Sequence, residues 1–285
     1  MTLQEWLKKG EARLSGGPHP DRARRDAETL LLYVVRRERA ALLARWKEVL
    51  DAEEAGQYVE LIDRRLDGEP IQYIVGETEF YGLPFRVTPD VLIPRPETEH
   101  LVEKVIEIAA RAGAGLPGPR IVDVGTGSGA IAVALAHELP QARITAIDLS
   151  APALDLAAEN AKLNGVAVRF LRGDLLAQVG GEQFEIVVSN PPYVPGADRA
   201  SLAVEVRDYE PALALFAGDD GLDVYRRLIP AAFGVLIPGG SLALEIGFGQ
   251  SPAIKELLGF SGFEEIDFIP DLQGIPRVAF GLRPC

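Results

Sequence analysis

The alternation of strand-like and helix-like segments from residue 120 onward is the feature that most constrains the fold of this chain. Apolar runs typical of strands lie at residues 120–125, 143–148, 168–173, 184–189, 240–246, 263–269 and 277–282. Segments with helical spacing lie at about 129–138, 151–163, 221–236 and 250–258. Such alternation specifies an α/β fold, a mostly parallel sheet with helices on both faces. The last two strands are joined by only a loop, so at least one antiparallel edge strand is expected.

The first 95 residues have a different character. Apolar residues recur at helical spacing between residues 2 and 67, with Asp21 as the predicted N-cap of the second helix. Residues 78–87 predict two short strands around Gly82-Leu83-Pro84, and a further helix is predicted to begin near Glu97. The chain is therefore divided into a helical lobe at 1–75, a hairpin and linker at 76–95, and an α/β domain at 96–285.

A glycine-rich loop follows the first strand of the α/β domain. Gly125-Thr126-Gly127-Ser128-Gly129 lies between a predicted strand and a predicted helix, where glycines let the backbone approach a ligand and free helix N–H groups favour polar groups. The third glycine follows the second by two residues and not three, which favours S-adenosylmethionine over nicotinamide cofactors. In a doubly wound sheet the loop lies at the carboxyl edge, where ligands bind. A tight strand-to-helix turn without a ligand is the alternative.

Two carboxylates end the next two strands. Asp148 is placed where it can accept hydrogen bonds from both hydroxyls of a ribose, although it can instead cap the following helix, a role for which Ser150 is as well suited. Asp174 can accept from an adenine amine, with Leu175 packed on the ring face, or it can form a turn. Asp148, Asp174 and Leu175 are therefore candidate cofactor ligands.

The tetrapeptide Asn190-Pro191-Pro192-Tyr193 follows the fourth strand of the domain directly. The Asn190 side-chain oxygen and the Pro191 carbonyl oxygen offer two acceptors for a planar –NH2 group, and the two prolines stiffen the loop. Tyr193 offers a flat face for packing. A nitrogen whose lone pair is delocalised needs mainly positioning in order to be methylated. The tetrapeptide beside a cofactor loop therefore predicts a methyltransferase that uses S-adenosylmethionine.

Composition limits the classes of partner and of site. The net charge is −13, and residues 1–75 carry 13 basic and 14 acidic side chains against 16 and 28 in the remainder. An acidic main domain argues against tight, non-specific binding of nucleic acid. The three histidines are scattered and the one cysteine is Cys285, so neither a metal site nor an intrachain disulfide is expected. The sequence lacks an 18-residue apolar run and a signal-peptide pattern, which predicts a cytoplasmic protein without a membrane partner.

These motifs make the chain resemble the bacterial release factor glutamine methyltransferase family. The resemblance also rests on two longer segments, Leu92-Ile93-Pro94-Arg95-Pro96-Glu97-Thr98-Glu99 and Asp67-Gly68-Glu69-Pro70-Ile71-Gln72-Tyr73. It implies a Rossmann-like, seven-stranded class I methyltransferase domain with an N-terminal helical lobe and a short β-hairpin linker. It further implies transfer of a methyl group from S-adenosylmethionine to the side-chain amide nitrogen of the glutamine in the Gly-Gly-Gln motif of peptide chain release factors. S-adenosylhomocysteine would be the product, and translation termination would be modulated.

The resemblance also implies a role for each matching residue. The cofactor would be bound by Gly125, Thr126, Gly127, Ser128, Gly129, Asp148, Leu175 and Asn190, and the place of Asp174 at a strand end adds it to this set. The glutamine would be held by Asn190, Pro191, Pro192, Tyr193 and Phe80, and Asn190, Pro191 and Tyr193 would form the catalytic group. Phe80 can equally serve only aromatic packing within the hairpin.

Partners follow from the same resemblance. The helical lobe would recognise the release factor, and we expect a monomer that does not bind nucleic acid stably. The alternative is a nucleic acid amino-methyltransferase acting on adenine or guanine, because such enzymes share the Asn-Pro-Pro-Tyr motif. That alternative should bring a basic recognition domain, whereas residues 1–75 are nearly neutral.

Overall fold

The computed structural model describes residues 1–37, 39–111 and 118–285, which divide into two compact units. The first unit consists of Met1–Glu77 and Leu202–Tyr209, and the second of Thr78–Ser201 and Glu210–Cys285. Residue 38 of the predicted helical lobe and residues 112–117 of the predicted α/β domain lie outside the described residues. Each unit has an apolar core of its own.

The described residues contain the following regular elements. The α-helices are Leu3–Leu14 (α1), Ala23–Val35 (α2), Arg39–Ala44 (α3), Ala52–Leu66 (α4), Ile71–Val75 (α5), Glu99–Arg111 (α6), Ala130–Glu138 (α7), Ala151–Leu163 (α8), Val204–Arg207 (α9), Ala212–Leu215 (α10), Asp223–Val235 (α11) and Ser251–Phe260 (α12). The strands are Glu77–Phe80 (β1), Leu83–Arg86 (β2), Arg120–Val124 (β3), Arg143–Asp148 (β4), Arg169–Arg172 (β5), Phe184–Ser189 (β6), Leu236–Glu245 (β7), Glu264–Pro270 (β8) and Pro276–Leu282 (β9).

Local capping signals start two helices of the first unit. Thr2 caps α1 and Asp51 caps α4, each in a capping box with a glutamate three residues later. The predicted cap Asp21 is wrong, because α2 begins at Ala23 without a side-chain cap. Asp21 lies inside a 3₁₀ turn that begins at Pro20, whereas an N-cap residue needs extended backbone.

A buried arginine joins the segment Leu202–Tyr209 to the helices of the first unit. The Arg65 side chain is 2% exposed, and it donates to Asp26 Oδ2 at 2.7 Å and to Glu205 Oε2 at 3.1 Å. The Tyr209 hydroxyl donates to the carbonyl oxygen of Asp67 at 3.0 Å. A buried guanidinium is tolerated because two carboxylates compensate its lost hydration. Contacts far apart in sequence, between α4 and α9, therefore hold this segment in place.

The second unit contains one large sheet with strand order β5-β4-β3-β6-β7-β9-β8, seven strands among the described residues. The strands from β5 to β7 are parallel, and β9 is antiparallel to both β7 and β8. The predicted mostly parallel sheet is thus confirmed, but the strand antiparallel to the others is β9, which lies between β7 and the edge strand β8 and not at the edge. The strand order reverses between β3 and β6, and ligands of doubly wound sheets bind at such a switch point.

Strand register sets the loops after β3 and β6 side by side. Asp123 pairs with Val188, so the residues that follow β3 and β6 leave the sheet at the same level. The buried Ser189 hydroxyl donates to the carbonyl oxygen of Val124 at 2.6 Å and ties the two strand ends together. The glycine loop and Asn190 consequently begin at neighbouring points of the carboxyl edge.

Several element boundaries differ from their predicted positions, among them those of β7, β2 and α6. Strand β7 begins at Leu236, four residues before the predicted start, because Leu236 pairs with Phe184 across an irregular register. The hairpin turn consists of Tyr81 and Gly82, both with positive φ, so the predicted turn residue Leu83 begins β2 instead. A 3₁₀ turn at Pro96–Thr98 leads into α6, which begins two residues after the predicted Glu97.

Candidate active site

The glycine loop after β3 has a backbone that only glycine adopts without strain at three positions. Gly125, Gly127 and Gly129 have φ of +73°, +54° and +83°. The amides of Gly125 and Thr126 both donate to the carbonyl oxygen of Ile147, at 2.8 and 3.0 Å. Space remains open within 4 Å of the Cβ position at Gly125 and at Gly127. The loop therefore leaves its backbone free to approach a ligand.

Asp148 at the end of β4 organises this loop. Its Oδ2 accepts the backbone N–H of Gly127 at 2.8 Å, and its Oδ1 accepts that of Ser150 at 2.9 Å. Ser150 in turn accepts the N–H of Ala153 and caps α8, as the sequence predicted. Since each carboxylate oxygen has capacity for a second hydrogen bond, Asp148 can still accept from ligand hydroxyls.

Asp123, two residues before the first glycine, supports the glycine loop, and sequence reasoning gave it no role. It is fully buried and accepts the Thr126 hydroxyl on Oδ2 at 2.6 Å. Burial raises the pKa of Asp123 to about 7, against the lowering effect of the Thr126 hydrogen bond. An acidic residue between Val122 and Val124, next to a glycine loop, was the available signal.

A cavity of about 380 Å³ lies at the switch point. Its walls include ten of the predicted site residues: Phe80, Gly125, Thr126, Gly127, Ser128, Asp148, Asp174, Leu175, Asn190 and Pro192. Gly129, Pro191 and Tyr193 are not among its lining residues. Residues that sequence reasoning had not assigned also line it, among them Val91, Leu92, Arg95, Thr98, Ile131, Leu149 and Arg227. The structure thus brings most of the predicted residues around one space.

Asp174 and Leu175 lie at the far side of β4, after β5. Asp174 Oδ2 accepts from Arg227 of α11 at 2.5 Å, a half-exposed pair. Leu175 has φ of +52°, a strained conformation for a residue with a side chain. Both residues line the cavity, and one carboxylate oxygen of Asp174 is already engaged by a cation.

Asn190 is held at its amide nitrogen. The Asn190 Nδ2 donates to the Thr98 hydroxyl at 3.1 Å, which leaves the Asn190 side-chain oxygen as the acceptor of the group. The Tyr193 side chain does not line the cavity, and its hydroxyl donates to Glu245 Oε1 at 3.4 Å. Burial and the nearby Glu245 carboxylate raise the pKa of Tyr193 above its usual range, so Tyr193 stays protonated. Glu245 lay in no sequence motif, and Thr98 lay in the proline-rich segment at 92–99 without an assigned role.

The chain is similar to known methyltransferases along its whole length. The model of the Methyltransferase small domain matches residues 105–206, and that of the PrmC N-terminal domain matches residues 5–76. A release factor glutamine methyltransferase of Moorella thermoacetica is 46% identical, over 99% of this chain and 99% of its own. One of Koribacter versatilis is 41% identical, over 100% and 99%.

A solved structure shows the same fold. The T. Thermophilus 16S rRNA N2 G1207 methyltransferase RsmC, in complex with AdoMet and guanosine, aligns with a TM-score of 0.54 and 20% identity. The alignment covers 73% of this chain and 49% of that chain. A likeness at this identity concerns the fold alone. The parallel sheet with an antiparallel strand inserted beside β7 is thus that of a class I methyltransferase.

Within the class I methyltransferases, the 41–46% identity with two relatives over the full length of the chain identifies its family. The chain belongs to the release factor glutamine methyltransferases. The predicted family, fold class and enzyme class, with S-adenosylmethionine as methyl donor, are confirmed by these findings. The relatives do not favour the nucleic acid alternative. The residue assignments and the domain boundaries stay predictions.

Among residues 1–37, 39–111 and 118–285, helices are too short or too polar to cross a membrane. Within the same ranges, His, Cys, Asp and Glu side chains form no group of three or more that could hold a metal ion.

Proposed function

We propose that this chain transfers a methyl group from S-adenosylmethionine to the side-chain amide nitrogen of the glutamine in the Gly-Gly-Gln motif of peptide chain release factors. The single observation that carries the proposal is Asn190 at the switch point, lining the cavity with its amide nitrogen already engaged by Thr98. The remaining side-chain oxygen is an acceptor for one N–H of a substrate carboxamide. Membership of the family supports the choice of substrate.

The residues around the cavity suit the methyl donor. Bound S-adenosylmethionine supplies an electrophilic methyl group on a sulfonium. Asp148 is placed to accept hydrogen bonds from ribose hydroxyls, since both of its oxygens retain acceptor capacity after binding Gly127 and Ser150. The open backbone of the glycine loop allows close approach of the rest of the cofactor. Asp174 and Leu175 then line the part of the cavity assigned to the adenine.

Asn190 and Pro191 act by positioning. A carboxamide nitrogen is a poor nucleophile because its lone pair is delocalised, and a fixed orientation is the main help that a protein can give. The Asn190 side-chain oxygen and the Pro191 carbonyl oxygen hold the two N–H groups, so the nitrogen is aimed at the methyl carbon. As the C–N bond forms and the C–S bond breaks, the nitrogen becomes cationic. It then loses one proton to water, which requires no strong general base.

The helical lobe at 1–75 is assigned to recognition of the release factor. The match of residues 5–76 to the PrmC N-terminal domain supports a role specific to this family. The nearly neutral charge of the lobe and the acidic remainder support a protein substrate over nucleic acid. The protein is further proposed to act as a monomer in the cytoplasm, where translation terminates.

The test is incubation with labelled S-adenosylmethionine and, separately, purified release factor, DNA and ribosomal RNA. Label should appear on the release factor and disappear when its Gly-Gly-Gln glutamine is replaced. Label on nucleic acid alone would reverse the assignment.

A matched pair of variants tests the site. Asn190→Ala should abolish turnover of the release factor while cofactor binding stays measurable by calorimetry, because Asn190 is assigned mainly to the substrate amide. Asn164→Ala is the control, since Asn164 bonds Pro84 and Asn160 and does not line the cavity. Near-normal turnover of Asn190→Ala would remove the proposed amide acceptor.

A further inference from the structure

Glu245, the last residue of β7, is a buried carboxyl group to which the mechanism above gives no part. It is 3% exposed and has two hydroxyl donors. The Thr98 hydroxyl donates to Oε2 at 2.6 Å, and the Tyr193 hydroxyl donates to Oε1 at 3.4 Å. The Tyr225 hydroxyl donates to the Glu245 carbonyl oxygen at 2.7 Å. A carboxyl group buried in a core is costly, and its hydrogen bonds lead towards the cavity through Thr98.

Thr98 connects Glu245 with Asn190, and the direction of its hydroxyl proton is decided by Glu245. A hydroxyl has one proton to donate and two lone pairs. Because a carboxylate can only accept, the Thr98 proton is committed to Glu245. Thr98 then offers only a lone pair to Asn190, and the Asn190 Nδ2 donates to it at 3.1 Å.

This chain of hydrogen bonds fixes which way round the Asn190 carboxamide lies. The side-chain nitrogen and oxygen of an asparagine are nearly equal in size, so packing alone does not choose between the two orientations. In the reversed orientation an –NH2 group would meet the –NH2 group of the substrate, donor against donor. Only the orientation enforced from Glu245 presents an acceptor.

We propose that Glu245 and Thr98 are positioning residues for methyl transfer, acting through Asn190 by holding its carboxamide in the acceptor orientation. The proposal rests on the proposed role of Asn190 as acceptor of the substrate amide. Glu245 does not line the cavity, so its effect is expected on the chemical step and not on cofactor binding.

The protonation of Glu245 should therefore set a pH dependence. Burial raises the pKa of Glu245 to about 7, while Thr98, Tyr193 and Arg277 lower it and Glu97 raises it. The neutral Tyr225 hydroxyl faces the backbone of the same residue. A protonated carboxyl group can itself donate to Thr98, which frees the Thr98 proton to point at Asn190 and removes the preference. Activity should thus fall as the pH drops below about 7.

The decisive variants remove or keep the Thr98 hydroxyl. Thr98→Val removes the hydroxyl and should lower kcat about 10- to 100-fold, with the KM for release factor and the affinity for S-adenosylmethionine within about twofold. Thr98→Ser keeps the hydroxyl, so its kcat should remain close to that of the wild type. Thr145→Val, a buried threonine of β4 outside the cavity lining, is the matched control and should leave kcat unchanged.

Glu245→Gln tests whether Glu245 controls the pH dependence of kcat, which a merely structural residue would leave unchanged. An amide can accept from or donate to Thr98, so the orientation is no longer enforced. The variant should have a reduced kcat and should lose the fall in kcat that the wild type shows below about pH 7.

Failure of this proposal can be told apart from failure of the proposed function. Inactive Asn190→Ala together with near-normal kcat in Thr98→Val would overturn the positioning role alone. An unaltered pH profile in Glu245→Gln would do the same. Near-normal turnover of Asn190→Ala would overturn the proposed function itself.

Discussion

Replacement of Asp148 by asparagine is the sharpest test of the cofactor site. The two carboxylate oxygens accept two backbone N–H groups, from Gly127 at 2.8 Å and from Ser150 at 2.9 Å. Asparagine has one acceptor oxygen, so one of these N–H groups would face an –NH2 group. The substitution keeps the size of the side chain and changes only its charge and hydrogen bonding.

The expected loss follows from the interactions removed. A part-buried donor left without an acceptor costs about 1–3 kcal/mol, and a hydrogen bond to a charged acceptor contributes about 1.5–3 kcal/mol. Cofactor binding requires the loop in its native shape, and a ribose hydroxyl is assigned as a donor to Asp148. Most of the free energy of one of these two interactions is therefore lost from the binding of S-adenosylmethionine. The dissociation constant for S-adenosylmethionine should then rise about 10- to 100-fold, since each 1.4 kcal/mol is a factor of ten.

Isothermal titration calorimetry measures this constant directly for the wild type and the variant. Asp155→Asn is the matched control, because Asp155 is exposed on α8 and the same negative charge is removed nearby. The control should bind as the wild type does. Equal affinities for Asp148→Asn and Asp155→Asn, with both proteins folded by circular dichroism, would refute the reasoning about the ribose and the loop.

Two further predictions concern stability. Arg65→Met leaves Asp26 and Glu205 without their buried cation and should destabilise the first unit by about 3–5 kcal/mol, against about 0–1 kcal/mol for Arg24→Met at an exposed pair. Urea unfolding followed by tryptophan fluorescence measures this, because both tryptophans, Trp6 and Trp46, lie in that unit, and equal midpoints would contradict it. Asp123 stays protonated up to about pH 7 in the native state but ionises near pH 4 when unfolded, so its stabilisation is full below about pH 4 and is lost as the pH rises through 7. Asp123→Asn should therefore gain up to about 4 kcal/mol relative to the wild type between pH 4 and pH 8 in urea unfolding followed by circular dichroism, and a pH-independent difference would show that Asp123 does not titrate as described.

Local sequence signals predicted the parts of the site that depend on backbone conformation. Three features depend only on neighbouring residues and could be located without a structure. They are the glycines at positive φ, the proline-stiffened turn and the helix cap at Ser150. The hydrophobic periods placed these signals at strand ends. In an α/β fold, the carboxyl ends of parallel strands meet at one edge.

The same reasoning failed where pairing with a distant strand set the boundary. Leu236 was predicted as the end of a helix at about 221–236, just before a Pro-Gly-Gly segment typical of a loop, yet pairing with Phe184 draws it into β7. Asp21 has the side chain of a helix cap, but Pro20 had already begun a 3₁₀ turn. At Leu236, local preference competed with long-range pairing, and the sequence pattern reports only the first, whereas at Asp21 the competing structure was a local turn.

What the sequence determined by itself is the alternating α/β framework and the motifs at its strand ends, because hydrophobic period and backbone conformation are properties of neighbouring residues. Only the tertiary structure decided that Glu245, at the end of β7, reaches Asn190 through Thr98, and that Glu205 shares a buried arginine with Asp26. Each of these polar residues is a single position without a periodic pattern. Their contacts arise from strand order and helix packing, which bring residues together from segments far apart in the chain.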